Sequence, residues 1–325
     1  MMETKNKINA SVIIPCYNCA KSIVETLESL ESQTYKSFEV ICINDGSSDD
    51  TLDILRQWLD KKTLNIKIID QENGGVSRAR NRGIDNADTA YVLFLDADDI
   101  YHKDYIYHLV NSVEQFRADV SYCRLVRNLD IVKKYNDEIA YKINNQQEAM
   151  DKLMYEMYQY GFYCYLYRKD ILDKYNLRFD ENTKYFEDRE FNWKYLCHCA
   201  TYVLVDAPMY GYRVCENSAT QKMTSWQRTV NSLNAVKRVE EYLALYQCDY
   251  LDILKSYLYQ RVMWSVAKNI VLCGDKEMYR QLQENYNVKV CMKRTAKDSN
   301  KLVAISSMLY LIHPMLFYKV VRLKK

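Results

Sequence analysis

The stretch Tyr91–Asp99 reads YVLFLDADD, an apolar run of strand length that delivers three carboxylates into a loop. Residues 91–95 suit a buried strand. Asp96, Asp98 and Asp99 cannot continue it. Like charges this close repel and raise one another's pKa unless a cation is near. A hard divalent ion, bound by carboxylate oxygen and by a substrate phosphate, relieves that cost. In extended backbone Asp96 and Asp98 point the same way, and the small Ala97 between them leaves room for a ligand. A lone acidic cluster is ordinarily solvated surface or helix capping, so its surroundings decide the reading.

Upstream, Ala10–Pro15, Phe38–Asn44 and Ile66–Asp70 read as strands. Ser22–Ser32, Thr51–Asp60 and Val76–Asp85 carry helical spacing between them. Downstream, Asp104–Arg117 is predicted helical and Val120–Arg127 a fifth strand. Strand and helix in alternation imply right-handed βαβ units and a mostly parallel sheet, an α/β fold. The carboxyl ends of such strands gather on one edge, where ligands bind. Four of them carry polar or glycine-rich signals: Pro15-Cys16-Tyr17-Asn18, Asn44-Asp45-Gly46-Ser47, Asn73-Gly74-Gly75 with Arg78 and Arg80, and Asp96–Asp99. Four signals on one edge form a constellation that surface chemistry does not explain.

No Walker-type glycine loop and no G-x-G-x-x-G is present, which argues against a P-loop enzyme and a dinucleotide site. The 325 residues carry a formal net charge of +2, so nothing points to a nucleic-acid partner. Eleven scattered cysteines without a disulfide-like framework fit a reducing cytoplasm. Cys16 and Cys19 have C-x-x-C spacing. No second close pair accompanies them, so they read as buried thiols and not as a zinc site.

Beyond residue 127 the pattern is looser. Asn128–Tyr212 is rich in tyrosine, with a helix starting near Glu187 and short strands at Tyr202–Val205 and Tyr210–Arg213. The start of that helix, YFEDREF, is a second carboxylate site. Adjacent side chains on a helix diverge by about 100°, so Glu187 and Asp188 face different ways and one of them faces a given ligand. A carboxylate at a helix N-terminus is kept ionised by the dipole and is placed to take a proton; simple helix capping is the alternative. From Ser225 to about Cys273 the pattern is helical. The stretch Leu302–Val321 is apolar with a basic end and is about as long as a membrane span. His313, Pro314 and Lys319 interrupt it, which favours an interfacial helix over a helix packed on the protein or a true span.

VIIPCYN (12–18), VICINDGSSDDT (40–51), ENGGVSRARNRGI (72–84), YVLFLDADD and YFEDREF, in this order, resemble the family 2 inverting glycosyltransferases of GT-A fold, of the bacterial surface-polysaccharide type. The resemblance covers about the first 125 residues and, more sparsely, Tyr185–Ser218. It implies a Rossmann-like nucleotide-sugar-binding half at 1–127 and an acceptor-binding and catalytic-base half at 128–222; beyond the resemblance, 223–325 is expected to be a helical C-terminal region whose apolar, basic-ended tail associates with a membrane. The resemblance implies a nucleotide-sugar donor, usually a UDP-sugar, with Mn²⁺ or Mg²⁺. Pro15, Tyr17 and Asp45 would then border the base, and Arg80 would approach the nucleotide. Asp96 would meet ribose or metal, Asp98 would bind the metal, and Asp188 would act as base, with Glu187 beside it. GYRVCENSAT also resembles a family segment. Arg213 in it would contact diphosphate or acceptor, or else form a salt bridge to Glu216 or Asp206.

The Q-x-x-R-W of processive members is missing, so a single addition to a glycan or lipid-linked glycan is expected, from the cytoplasm and with peripheral contact at the inner face of the membrane. A nucleotidyltransferase and a non-catalytic protein of the same fold are the competing readings. The first typically shows a glycine-rich basic loop after the first strand, where this chain has PCYNCAKS; the second is disfavoured by the presence of both Asp98 and Asp188.

Overall fold

The computed structural model describes residues 8–146, 148, 161–214, 225–248, 259–298 and 300–322. The chain divides into two compact units: Met1–Asn182 with Glu187–Cys215, and Thr183–Phe186 with Glu216–Lys325.

The first unit is built on one mixed sheet. Its strands are β1 (Ala10–Cys16), β2 (Phe38–Asp45), β3 (Ile66–Gln71), β4 (Tyr91–Phe94), β5 (Ile100–Tyr101), β6 (Val120–Val126), β7 (Tyr141–Asn145), β8 (Tyr165–Arg168) and β9 (Thr201–Gly211). Helices α1 (Ile23–Glu31), α2 (Thr51–Lys61), α3 (Val76–Asp85), α4 (Tyr105–Phe116), α5 (Leu129–Lys134), α6 (Lys169–Lys174) and α7 (Glu187–Leu196) complete it. The order is β3-β2-β1-β4-β8-β6-β9-β5, with β7 paired to β9. The half β3-β2-β1-β4 is parallel throughout. Strand β1 is covered on both faces, with Val12, Ile13 and Ile14 fully buried, as a run of branched apolar residues in a parallel sheet requires. A Cβ on Gly83 would lie 2.3 Å from the Ile13 side chain, so glycine lets α3 lie close on β1.

The second half of the sheet departs from the sequence reading. Strand β8 inserts antiparallel between β4 and β6. The two short strands expected at Tyr202–Val205 and Tyr210–Arg213 are one strand, β9. It runs through Pro208 because the pairing with β6 shifts register on either side of Arg124. A bulge of this kind accommodates a proline that cannot donate to a ladder. The tyrosine richness has a use here. Tyr101, Tyr105, Tyr167 and Tyr195 are buried, and each hydroxyl donates to a backbone carbonyl, those of Phe94, Tyr163, Phe162 and Asp119 respectively. They fill a core as phenylalanine would while satisfying backbone oxygens.

The second unit is helical: α8 (Ser225–Leu245), α9 (Tyr259–Cys273), α10 (Lys276–Asn285), α11 (Val288–Thr295), α12 (Lys301–Ile312) and α13 (Pro314–Arg322). Helix α9 buries Val262, Met263, Val266, Ala267, Ile270 and Val271. The C-terminal apolar stretch is two helices, broken at His313-Pro314, and its inner side is packed: Trp264 donates to Ser306 at 2.9 Å, Ser307 and Thr295 share a hydrogen bond of 2.8 Å, and Phe317 is fully buried. Among the described residues no helix is long and apolar enough to cross a membrane.

Candidate active site

The parallel half of the sheet ends where the motif residues lie. Leu95 N–H donates to the Ile13 carbonyl at 3.1 Å, beyond the last β1–β4 pair. Two residues on, Pro15 has no N–H to offer that side. Pairing stops, and the chain after β4 turns away as Asp96–Asp99. Tyr17, 55% exposed, follows the end of β1.

Neighbouring loops are laced together. Asn18 takes φ 48 and accepts from Ser48 N–H at 2.8 Å through its side chain; Ser47 Oγ accepts from Asn18 N–H at 3.1 Å. Asp45 is buried. One of its carboxylate oxygens accepts from Gln71 at 2.7 Å and Gly74 N–H at 2.8 Å, the other from Gly75 N–H at 2.9 Å. Its first contribution to this edge is to hold the glycine loop in place. Gly46 has φ +69, and a Cβ there would lie 2.8 Å from Asn73 N. Turn and close approach both demand glycine.

The centre of the site is Arg80, on α3 and 4% exposed. Its guanidinium lies over the Phe162 ring at 4.3 Å and the Phe179 ring at 5.3 Å. One terminal nitrogen donates to Asp96 at 2.9 Å and the other to Glu187 at 3.4 Å. Burial opposes the charge, but Asp96 and Glu187 outweigh it and hold the guanidinium more firmly protonated than usual. The two acidic motifs, 91 residues apart from Asp96 to Glu187, thus meet on one arginine.

The three carboxylates of the DADD loop divide in function. Asp96 and Asp98 are half-buried. Asp99 is fully buried, accepts from Tyr210 Oη–H at 2.6 Å and from Arg213 N–H at 2.7 Å, and holds the loop against β9. Burial, followed by the nearby Asp96 charge, pushes its pKa up to about 8. Arg213 donates from Nε to the Asp98 carbonyl at 2.9 Å and forms its ion pair with Glu25. The alternative salt bridge from Arg213 to Asp206 is not formed: Asp206 pairs with Arg124 and Lys142. Glu216 lies outside the described residues.

At the second acidic motif Phe186 takes φ 79, a left-handed turn that a bulky residue adopts only where its surroundings impose it, and α7 begins at Glu187. Glu187 is a partner of Arg80. Burial, then the Asp188 charge, raise its pKa to about 7 against the pull of Arg80. Asp188 is half-buried, and its carboxylate accepts from Arg189 N–H at 2.8 Å. The Arg80–Glu187 pair and the anchoring role of Asp99 were missed in the sequence; opposite charge was the sole signal of the first, and the second, made to a tyrosine hydroxyl and a backbone N–H, left none. Cys16 and Cys19 are free, buried thiols. Among the described residues no group of three or more His, Cys, Asp or Glu side chains is arranged to hold a metal by itself.

Comparison with known proteins identifies the family and the fold. The family described as "Glycosyl transferase family 2" matches residues 11–176. An uncharacterized glycosyltransferase of Bacillus subtilis, EpsJ, is 31% identical over 216 residues, 65% of this chain and 62% of that protein. The putative glycosyltransferase EpsH of the same organism is 29% identical over 309 residues, 88% of this chain and 89% of that one. Among solved structures, Staphylococcus aureus TarS 1–349 in complex with UDP-GlcNAc superimposes with a TM-score of 0.71 at 20% identity, covering 97% of this chain and 90% of that one. The fold is thus the GT-A fold, with a mostly parallel central sheet and C-terminal helices. With the family matched over half its length, this chain belongs to glycosyl transferase family 2 and is a glycosyltransferase.

Proposed function

We propose that this glycosyltransferase moves a sugar from a nucleoside-diphosphate donor, a UDP-sugar, to a hydroxyl of a glycan or lipid-linked glycan, once per encounter and with inversion. The observation that carries the reading is the Arg80 fork, which ties the Asp96 loop to the Glu187–Asp188 helix start. A donor diphosphate beside the first and an acceptor hydroxyl beside the second would lie within reach of one another. TarS, with UDP-GlcNAc bound in the same fold, supports the choice of donor class.

Asp96 and Asp98 supply hard oxygen donors from one short loop, which fits Mn²⁺ or Mg²⁺. Two carboxylates are too few to enclose a cation, and this suits an ion that completes its shell with substrate phosphate. When bound, such an ion neutralises charge on the leaving diphosphate. The remaining work falls to the chain. Pro15 and Tyr17 border the base on the edge that Asp45 shapes, and Arg80 fixes Asp96. Asp188 takes the proton from the attacking hydroxyl as the bond from the sugar to the diphosphate breaks. One base on the attacking side suffices for a single displacement, which inverts the anomeric centre. The site would work in the cytoplasm at the inner face of the membrane, where a lipid-linked acceptor is presented.

The test is a panel of nucleotide sugars, with Mn²⁺ or chelator, and release of nucleoside diphosphate as the readout. Donor-dependent release that chelator abolishes and Mn²⁺ restores is expected. Full release in chelator would remove the metal. Pyrophosphate release from a nucleoside triphosphate and a sugar phosphate, with no diphosphate from any donor, would make the chain a nucleotidyltransferase.

A further inference from the structure

Helix α12 is apolar on two sides. Its packed side buries Val303 and Tyr310 together with Ser306 and Ser307, each serine bonded to a side chain of another helix. Its outer side carries Ile305, Met308 and Ile312, exposed to 56%, 49% and 73%. With Lys301 these residues stand at spacings of four, three and four, within about 60° of one another around the helix axis. Leu302 adds an exposed apolar side chain at the flank, and beyond the break Met315 of α13 adds another, followed by exposed Lys319. An exposed apolar stripe is ordinary when residues are scattered; aligned on one helix it marks a surface that something covers.

The charge around the stripe identifies the occupant. From Val288 to Arg322 the sequence carries Lys289, Lys293, Arg294, Lys297, Lys301, Lys319 and Arg322 against a single acid, Asp298. The Asp298 carboxylate is buried and pairs with Arg261. Apolar residues flanked by bases, on a segment whose single acid is buried, match an anionic lipid bilayer, with the side chains entering at headgroup depth and lysines at the phosphates.

We infer that the outer face of α12, with the start of α13, seats the helical unit on an anionic membrane surface. This rests on the membrane-side location proposed above and names the surface that would provide it. The full chain is spun with vesicles of phosphatidylcholine, with and without phosphatidylglycerol, beside the variant Ile305→Glu/Ile312→Glu and the variant Lys301→Glu/Lys319→Glu. Thermal melts check that each is folded; all four positions are exposed, so folding is expected to survive. Wild type should sediment with anionic vesicles and be released by salt. The apolar pair should lose roughly 10-fold or more per residue, and the charge pair should lose the preference for anionic lipid. Failure of the wild type to bind anionic vesicles overturns the inference, as does equal binding by the folded variants. A salt-resistant dimer in sedimentation velocity, broken by Ile305→Glu/Ile312→Glu, also overturns it and makes the face a contact between copies. Nucleoside diphosphate release from soluble donor, measured on the same samples, separates this outcome from failure of the transferase reading.

Discussion

Replacing Glu187 by glutamine removes a charge that the fold tolerates at a cost and keeps an oxygen that can accept from Arg80. In the native protein burial and the Asp188 charge raise the Glu187 pKa to about 7, from an ordinary 4.5. Its side chain is 13% exposed, so solvent screens it little. The sign follows from proton counting. Between the two values the folded protein binds more protons at this site than the unfolded chain, so stability falls as pH rises. The contribution is intact below pH 4.5 and is lost by the time pH passes 7. A tenfold change in proton affinity corresponds to about 1.4 kcal/mol, so the rise from 4.5 to about 7 amounts to about 3 kcal/mol at pH 8, about 2 at pH 6 and about 1 at pH 5. Glu187→Gln carries no such loss. Urea unfolding of both proteins at these pH values should give coincident midpoints near pH 4.5 that diverge upward, with the variant more stable. Parallel curves from pH 5 to 8 would mean that Glu187 keeps an ordinary carboxylate in the native state, and the account of Arg80 and Glu187 as a strained, functional pair would fall.

Arg80→Met should destabilise the first unit by about 3 kcal/mol, because two poorly solvated carboxylates lose their counter-charge; adding Glu187→Gln should restore part of that, and strict additivity in the double-mutant cycle would deny the pairing. Asp188→Asn should cut turnover roughly 10²–10⁴-fold with donor affinity unchanged, while Glu187→Gln loses less; near-normal turnover in Asp188→Asn would move the search for the base to Glu187 or Glu190. Ending the chain after Asn300 removes Val303, Tyr310 and Phe317 from a packed interior, a loss on the order of 3 kcal/mol for each large side chain; the helical unit should melt in a thermal scan, and an unchanged transition would make the tail an appendage.

Strands β1 to β4 and helices α1 to α4 were legible because their apolar periods are local: a few residues decide each one, and the strand ends carry punctuation such as Pro15, Gly46 and Gly75. The far half of the sheet was not. Strand β8 is the four residues YLYR, shorter than a pattern needs, and it is a strand because β4 and β6 leave a place between them. The two short strands read at Tyr202–Val205 and Tyr210–Arg213 are one, β9, because the register shift against β6 leaves room for Pro208, which has no N–H to donate. Tyrosine gave no guide, since its burial depends on a carbonyl that only the tertiary fold supplies.

The same limit applies at the site, and there it shapes the chemistry. Six of the acids in the motifs, Asp45, Asp96, Asp98, Asp99, Glu187 and Asp188, stand in the sequence with nothing in their local pattern to rank them. The fold sorts them by what already holds each one. Asp45 is committed to the glycine loop, Asp99 to Tyr210 and the Arg213 backbone, and Asp96 and Glu187 to Arg80. Carboxylates spent on backbone N–H groups and a buried guanidinium fix loops; they are poor acceptors for a substrate proton, since giving up those bonds costs more than the transfer returns. Asp188 is held by less: one of its oxygens accepts a single N–H, that of the next residue, at the first turn of α7, where the helix dipole favours a negative charge and the half-buried carboxylate stays within reach of solvent. A base must be ionised, anchored and still able to accept. The proposal of Asp188 as that base rests on its position at the start of α7, so its replacement should cost turnover while that of Glu187 should first be felt in stability.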